Sequence, residues 1–87
     1  MTKTVRLNTE YIKLDALLKL TGVTDTGGEA KGLVQDGLVR LNGQVVLERG
    51  RKLRAGDVVH VMAEGAAPEA KPLHVLRVAA PKATPSA

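Results

Sequence analysis

At 87 residues the chain has room for one domain, and a domain of this size buries only about 60–65% of its unfolded surface. Hydrophobic residues make up 44% of the sequence, yet Tyr11 is its sole aromatic, so the core must be built from Leu, Val, Ile and Ala, and a sheet that stacks bases on rings is excluded. Thirteen Lys and Arg against nine Asp and Glu give a formal charge of +4, which favours an anionic partner, while the lack of cysteine excludes disulfides and thiolate metal sites.

Lys3 to Leu7 alternates, with Val5 and Leu7 on one face, and reads as a short strand that Asn8-Thr9 ends. From about Ile12 to Thr21, Leu14, Leu17, Leu18 and Thr21 share a helical face, and Gly22 stands where a helix terminator belongs. A second helix is expected from Gly27 to Asp36, with a capping box in Thr26-Gly27-Gly28-Glu29 and an apolar stripe of Ala30, Leu33 and Val34. Gly32 inside it costs about 1 kcal/mol relative to Ala, so a close helix contact is expected to compensate, and the two helices should pack together.

After Gly37 the pattern turns to β: Leu38 to Leu41, then Asn42-Gly43, then Gln44 to Leu47, a hairpin signal because a type I′ turn needs positive φ twice. A two-residue turn would group Val39, Leu41 and Val46 with Gln44, whereas a longer one would bring in Val45; the sequence leaves both open. Leu53 to Asp57 reads as a turn into a strand from Val58 to Ala63, with Val59 and Val61 on one face and His60 on the other. Glu64 to Pro72 has the composition of a linker, Leu73 to Val78 is a possible last strand, and Ala79 to Ala87 is expected to be disordered. Residues 1–64 are thus expected to form the domain, with 65–87 as linker, extra strand (73–78) and flexible tail.

Enzyme chemistry finds little support. His60 and His74, fourteen residues apart without a local carboxylate cluster, do not make a metal spacing, and Gly27-Gly28 is followed by neither G-x-G-x-x-G nor a Walker lysine. No catalytic residue, cofactor or metal is therefore expected. The basic residues sort better. Lys31 and Gln35 lie four apart on the second helix, away from its apolar stripe, and Gly27 and Gly28 leave backbone N–H groups at its positive end; together these could hold a phosphate. The bland alternative is a solvated helix face, and Glu29 in the first turn competes for the same dipole. Arg49, Arg51, Lys52 and Arg54 place like charges side by side, an unfavourable arrangement unless an anion or water screens them.

Helix, tight turn, capped helix, then Gly37-Leu38-Val39-Arg40-Leu41-Asn42-Gly43 and a basic stretch before Gly56-Asp57-Val58-Val59 is an order that resembles the S-four RNA-binding domain, or alpha-L motif. Lys13-Leu14-Asp15 with Leu18 looks like that family's opening, Gly22 and the segment Thr26 to Lys31 are similar to its turn and second helix, and the likeness covers about Tyr11 to Val61. Ile12-Lys13-Leu14-Asp15 followed by Leu17-Leu18-Lys19, with Asp25-Thr26-Gly27-Gly28 in the turn, is most similar to small stand-alone bacterial members. The resemblance implies an α+β fold, two packed helices against a small, mostly antiparallel sheet, with an L-shaped surface that grips structured RNA through its phosphates. Carried over by position, it makes Lys13, Thr26, Lys31, Gln35, Arg40, Arg49, Arg51 and Lys52 contact candidates, and Asp15 a structural residue. One departure is Gly27, where the family usually has arginine, so that backbone amides would have to serve at this corner.

The expectation is a non-enzymatic, monomeric RNA-binding protein of the bacterial cytoplasm, with ribosomal RNA or a ribosome assembly intermediate ahead of transfer RNA as partner. No run reaches the ~18 apolar residues of a membrane span, and the start lacks the apolar stretch of a secretory signal. The alternative is a protein-interaction adaptor that uses the basic loop and adds the strand from Leu73 to Val78 to a partner's sheet.

Overall fold

A chain without aromatic bulk has to close its core with branched aliphatics, and here it does so on one side of one sheet. The computed structural model describes residues 2–67 and 69–80. The elements follow in the order β1 (Thr2–Arg6), β2 (Ile12–Lys13), α1 (Leu14–Leu20), α2 (Gly27–Gln35), β3 (Val39–Leu41), β4 (Gln44–Val45), β5 (Lys52–Leu53), β6 (Val58–Val61) and β7 (His74–Ala79). Five strands form a sheet in the order β1-β7-β6-β3-β4, and β2 pairs with β5 in a separate ribbon. Every pairing is antiparallel except that of β1 with β7. The architecture is the expected α+β arrangement of two helices and a mostly antiparallel sheet.

The register separates the two faces of the sheet. Val39 lies opposite Val61, Leu41 opposite Val59, and Val59 opposite Leu76, and all five are buried together with Val46 and Val78. Leu14, Leu17 and Leu18 of α1 and Ala30 and Val34 of α2, each fully buried, belong to the same core. The hairpin turn is the strict two-residue form: Leu41 pairs with Gln44, and the φ angles of +50° at Asn42 and +89° at Gly43 are those of a type I′ turn. Val39, Leu41 and Val46 therefore face the core while Val45 is exposed.

Both helices end where their sequences signal it. Gly22, at φ +79°, receives the chain leaving α1, and its amide donates to the Lys19 carbonyl at 3.1 Å. The Thr26 hydroxyl accepts from the Glu29 amide at 3.2 Å, and the Glu29 carboxylate accepts from the Asp25 amide at 3.1 Å, a capping box reaching one residue further back than usual.

Two expectations need correction. The first helix begins at Leu14 rather than Ile12, because Ile12 and Lys13 are drawn into pairing with Leu53 and Lys52. Gly32 makes no close helix contact: a Cβ built there would meet nothing within 4 Å. The possible last strand forms as β7, which lies between β1 and β6 with both its edges hydrogen-bonded and Leu76 and Val78 in the core. A strand with two partners cannot be lent to another protein's sheet, which removes the adaptor reading in its strand-addition form. Of the expected tail, Ala79 belongs to β7 and Ala80 follows it, while 81–87 lie outside the described residues.

Candidate nucleic-acid interface

Lys13 is the residue before α1, and lysine cannot cap a helix through its side chain, so the first amides of α1 need acceptors from elsewhere. They find them in the basic stretch: the Leu14 amide donates to the Arg51 carbonyl and the Asp15 amide to the Arg49 carbonyl, each at 2.9 Å. The Asp15 carboxylate accepts from the Ala16 amide at 2.8 Å. The loop's backbone is thereby fixed across the start of the helix, and its side chains are left to point outward. The short β2–β5 ribbon continues the clamp, with Ile12 opposite the fully buried Leu53 on its inner side and Lys13 opposite Lys52 on its outer side.

The result is a ridge of cations. Lys13, Arg49, Arg51 and Lys52 are all exposed, and two lysines directly across a strand pair repel one another. Lys52 is steadied from below by Tyr11, whose ring centroid lies 4.8 Å from its Nζ, a contact worth about 0.5–1 kcal/mol. Among the described residues none of the four cations forms an ion pair. A shallow groove beside the ridge is lined by Gly50, Arg51, Lys52 and Arg54 with Glu48, Asn42 and Asp57. Asp57 is already engaged: it accepts from the Asn42 side-chain amide at 3.1 Å and from the Arg54 amide at 2.9 Å. Glu48 is the carboxylate that tempers the groove's charge.

The remaining candidates fall into two other places. Thr26, Gly27, Gly28, Lys31 and Gln35 form a group on α2, where Lys31 and Gln35 are exposed and the threonine hydroxyl serves as the cap already described. Arg40 pairs in register with Val45 and His60, so it stands on the sheet face turned away from the core and is not part of the ridge. The contact candidates omitted two exposed cations, Arg54, although the basic cluster included it, and Lys19. Arg54 completes the groove, and its place at the end of the basic run was the available signal. Lys19 lies on the outer strip of α1 with Asp15, Ala16 and the exposed Leu20, a strip visible as the complement of the Leu14, Leu17, Leu18 face.

No three His, Asp or Glu side chains among the described residues gather as metal ligands would, and no helix is long and apolar enough to cross a membrane.

Two comparisons with known proteins bear on this arrangement. Residues 5–67 match the family model described as S4 domain, and the matched span holds the α1 start, α2, the hairpin and the whole ridge. The chain is also 39% identical over 61 residues, 70% of its own length and 86% of the relative's, to a protein named "Probable ribosome maturation protein RlbA" from Bacillus subtilis (strain 168). With most of its length inside the family model and a relative covered almost end to end, the chain belongs to the S4 domain family.

Proposed function

We propose that this protein is a non-catalytic RNA-binding protein that grips structured RNA, ribosomal RNA foremost, through phosphate contacts on the cationic ridge. The observation that carries the reading is the ridge itself: Lys13, Arg49, Arg51 and Lys52 held side by side by backbone bonds to α1 and, among the described residues, without an ion pair. Proteins do not hold unscreened like charges together without cost, and a polyanion turns that cost into binding free energy. Lys31 with the amides of Gly27 and Gly28 supplies a second phosphate position on α2. With one aromatic in the chain, recognition works through charge and the A-form shape of the RNA rather than base stacking. The relative named for ribosome maturation supports ribosomal RNA or an assembly intermediate over transfer RNA, and a cytoplasmic monomer fits that task.

The test is the salt dependence of binding to a ribosomal RNA fragment. Neutralising four to six phosphates gives a slope of log K against log salt of about −3 to −5. An Arg51→Glu, Lys52→Glu double variant should bind far more weakly and with a slope shallower by about 2. A parent protein whose affinity ignores salt, or a double variant that binds as well as the parent, would refute the ridge as the RNA site. Tighter binding to transfer RNA than to any ribosomal fragment would move the partner assignment.

A further inference from the structure

The same register that gathers the core on one side of the sheet leaves the other side open. Thr2 pairs with Val75, Thr4 with Arg77 and Arg6 with Ala79. Val58 pairs with Arg77 and His60 with Val75, while Arg40 lies between His60 and Val45. Residues paired across a sheet share a face, so Arg6, Arg40, Arg77 and His60 project together from the side opposite the core. None of the residues on this face is buried, and Thr4, Arg6 and Arg77 are exposed. Among the described residues no strand contains Asp or Glu. The contrast with Lys3 is informative: it lies on the core side, where its ammonium donates to the Thr21 carbonyl at the end of α1. The sheet's arginines, by contrast, all stand on the open face.

We infer that this open sheet face is a second phosphate-contacting surface, so that the protein holds two RNA segments at once, one on the ridge and one on the sheet. The inference rests on the RNA-binding reading of the ridge and extends it. The two surfaces look in different directions. Ile12 and Leu53 of the ribbon pack into the core, which lies on the helix side of the sheet, so the Lys13–Lys52 ridge belongs to that side and Arg6 and Arg77 to the other. A stiff duplex cannot fold around a domain this small, so an RNA helix laid along the ridge leaves the sheet face to a second helix, from the same junction or from another molecule. Arg6 and Arg77 stand on adjacent strands two residues out of register, about 8 Å apart between Cα atoms, near enough to act on one stretch of backbone. Arginine suits this role because its planar fork grips phosphate oxygens two at a time.

The experiment uses the full chain and two copies of one RNA hairpin with a stem of about 16 base pairs, one carrying a donor dye and one an acceptor. Single-hairpin affinity is measured separately. The parent should bring donor and acceptor together at intermediate protein concentration and lose the signal in excess protein, when each hairpin has its own copy. Arg6→Glu, Arg77→Glu should keep binding one hairpin through the ridge while bridging weakens by about tenfold or more. Arg6→Gln, Arg77→Gln should fall between, which guards against a folding defect in the charge-reversed form, and both variants should melt like the parent.

A bridging signal that survives Arg6→Glu, Arg77→Glu overturns the inference, as does a parent that binds single hairpins but never bridges. In the second case the ridge reading stands, because Arg51→Glu, Lys52→Glu would still abolish single-hairpin binding. A parent that binds no hairpin at all overturns both. Sedimentation of the RNA-free protein separates a further outcome: a dimer lost on Arg6→Glu, Arg77→Glu would mean that the face pairs with a second copy, against the inference. Binding of poly-glutamate through Arg6 and Arg77 without RNA bridging would assign the face to an acidic protein, also against it.

Discussion

At one end of the sheet, two neighbouring sets of polar residues put their hydrogen-bonding capacity to opposite uses. Asn42 and Asp57 are consumed by the fold. The Asn42 side chain donates to Asp57 and accepts from the Val58 amide at 3.0 Å, the Asn42 amide donates to the Val58 carbonyl at 2.8 Å, and Asp57 also receives the Arg54 amide. Arg49 and Arg51, a few residues away, contribute only backbone groups to the structure, their carbonyls and the Arg51 amide, which donates to the Glu48 carbonyl at 3.2 Å, and keep their guanidinium groups exposed. The knot makes the end of the sheet rigid, and the ridge uses that rigidity to hold charges in place. A polar residue's proximity to a candidate site therefore says little about its role until its bonds have been traced.

Substitutions can pull the two sets apart. The largest effect is expected where they share an anchor. Leu53 is fully buried between Lys52 and Arg54, so Leu53→Ala removes core volume directly beneath the ridge and should cost about 2–5 kcal/mol, a large part of a small domain's stability. A urea titration followed by circular dichroism measures the loss, and RNA affinity should fall with it because the loop is no longer seated. Asp57→Ala strikes the knot alone. It leaves the Asn42 amide group and the Arg54 N–H without their partner and should lower the unfolding free energy by about 1–2 kcal/mol, while RNA affinity measured where the protein is still folded stays at the parental value. An affinity loss on Asp57→Ala as large as that on Arg51→Glu, Lys52→Glu would merge the two sets into one.

Much of this was legible from the sequence where local chemistry dictates geometry. Asn42-Gly43 specified its turn, because few other dipeptides accept positive φ twice, and Thr26 with Glu29 specified the start of α2. The Leu14, Leu17, Leu18, Thr21 face was readable by its period and is the buried one. What escaped were consequences of pairing at a distance. Nothing near Ile12 or Lys13 announces that they will lie against residues forty places later, so the helix seemed to begin two residues early. The Gly, Ala and Pro content of 64–72 reads as a connection, but composition carries no information about where the chain goes next, and β7 returns to the middle of the sheet. Arg40 illustrates the same limit at the candidate site: its place in a family-like motif put it with the ridge residues, while the strand alternation that turns Val39 and Leu41 inward turns Arg40 to the other face.

Gly32 offers the smallest and most discriminating comparison between residues used by the fold and residues free for a ligand. It sits beside Lys31 in α2, yet it borders a shallow groove with Glu29 and Asp36, two carboxylates that an RNA phosphate would avoid. A methyl group added there meets open space, so no packing reason for glycine exists. Gly32→Ala should therefore gain helix propensity, about 0.5–1 kcal/mol, and raise the melting temperature by about 2–8 °C. If Lys31 and Gln35 meet RNA on the side of α2 away from these acids, affinity for the ribosomal fragment should not change. A variant that melts higher and yet binds more weakly would show that RNA approaches α2 closely enough to be displaced by one carbon atom, and the interface on that helix would then have to be redrawn around Gly32.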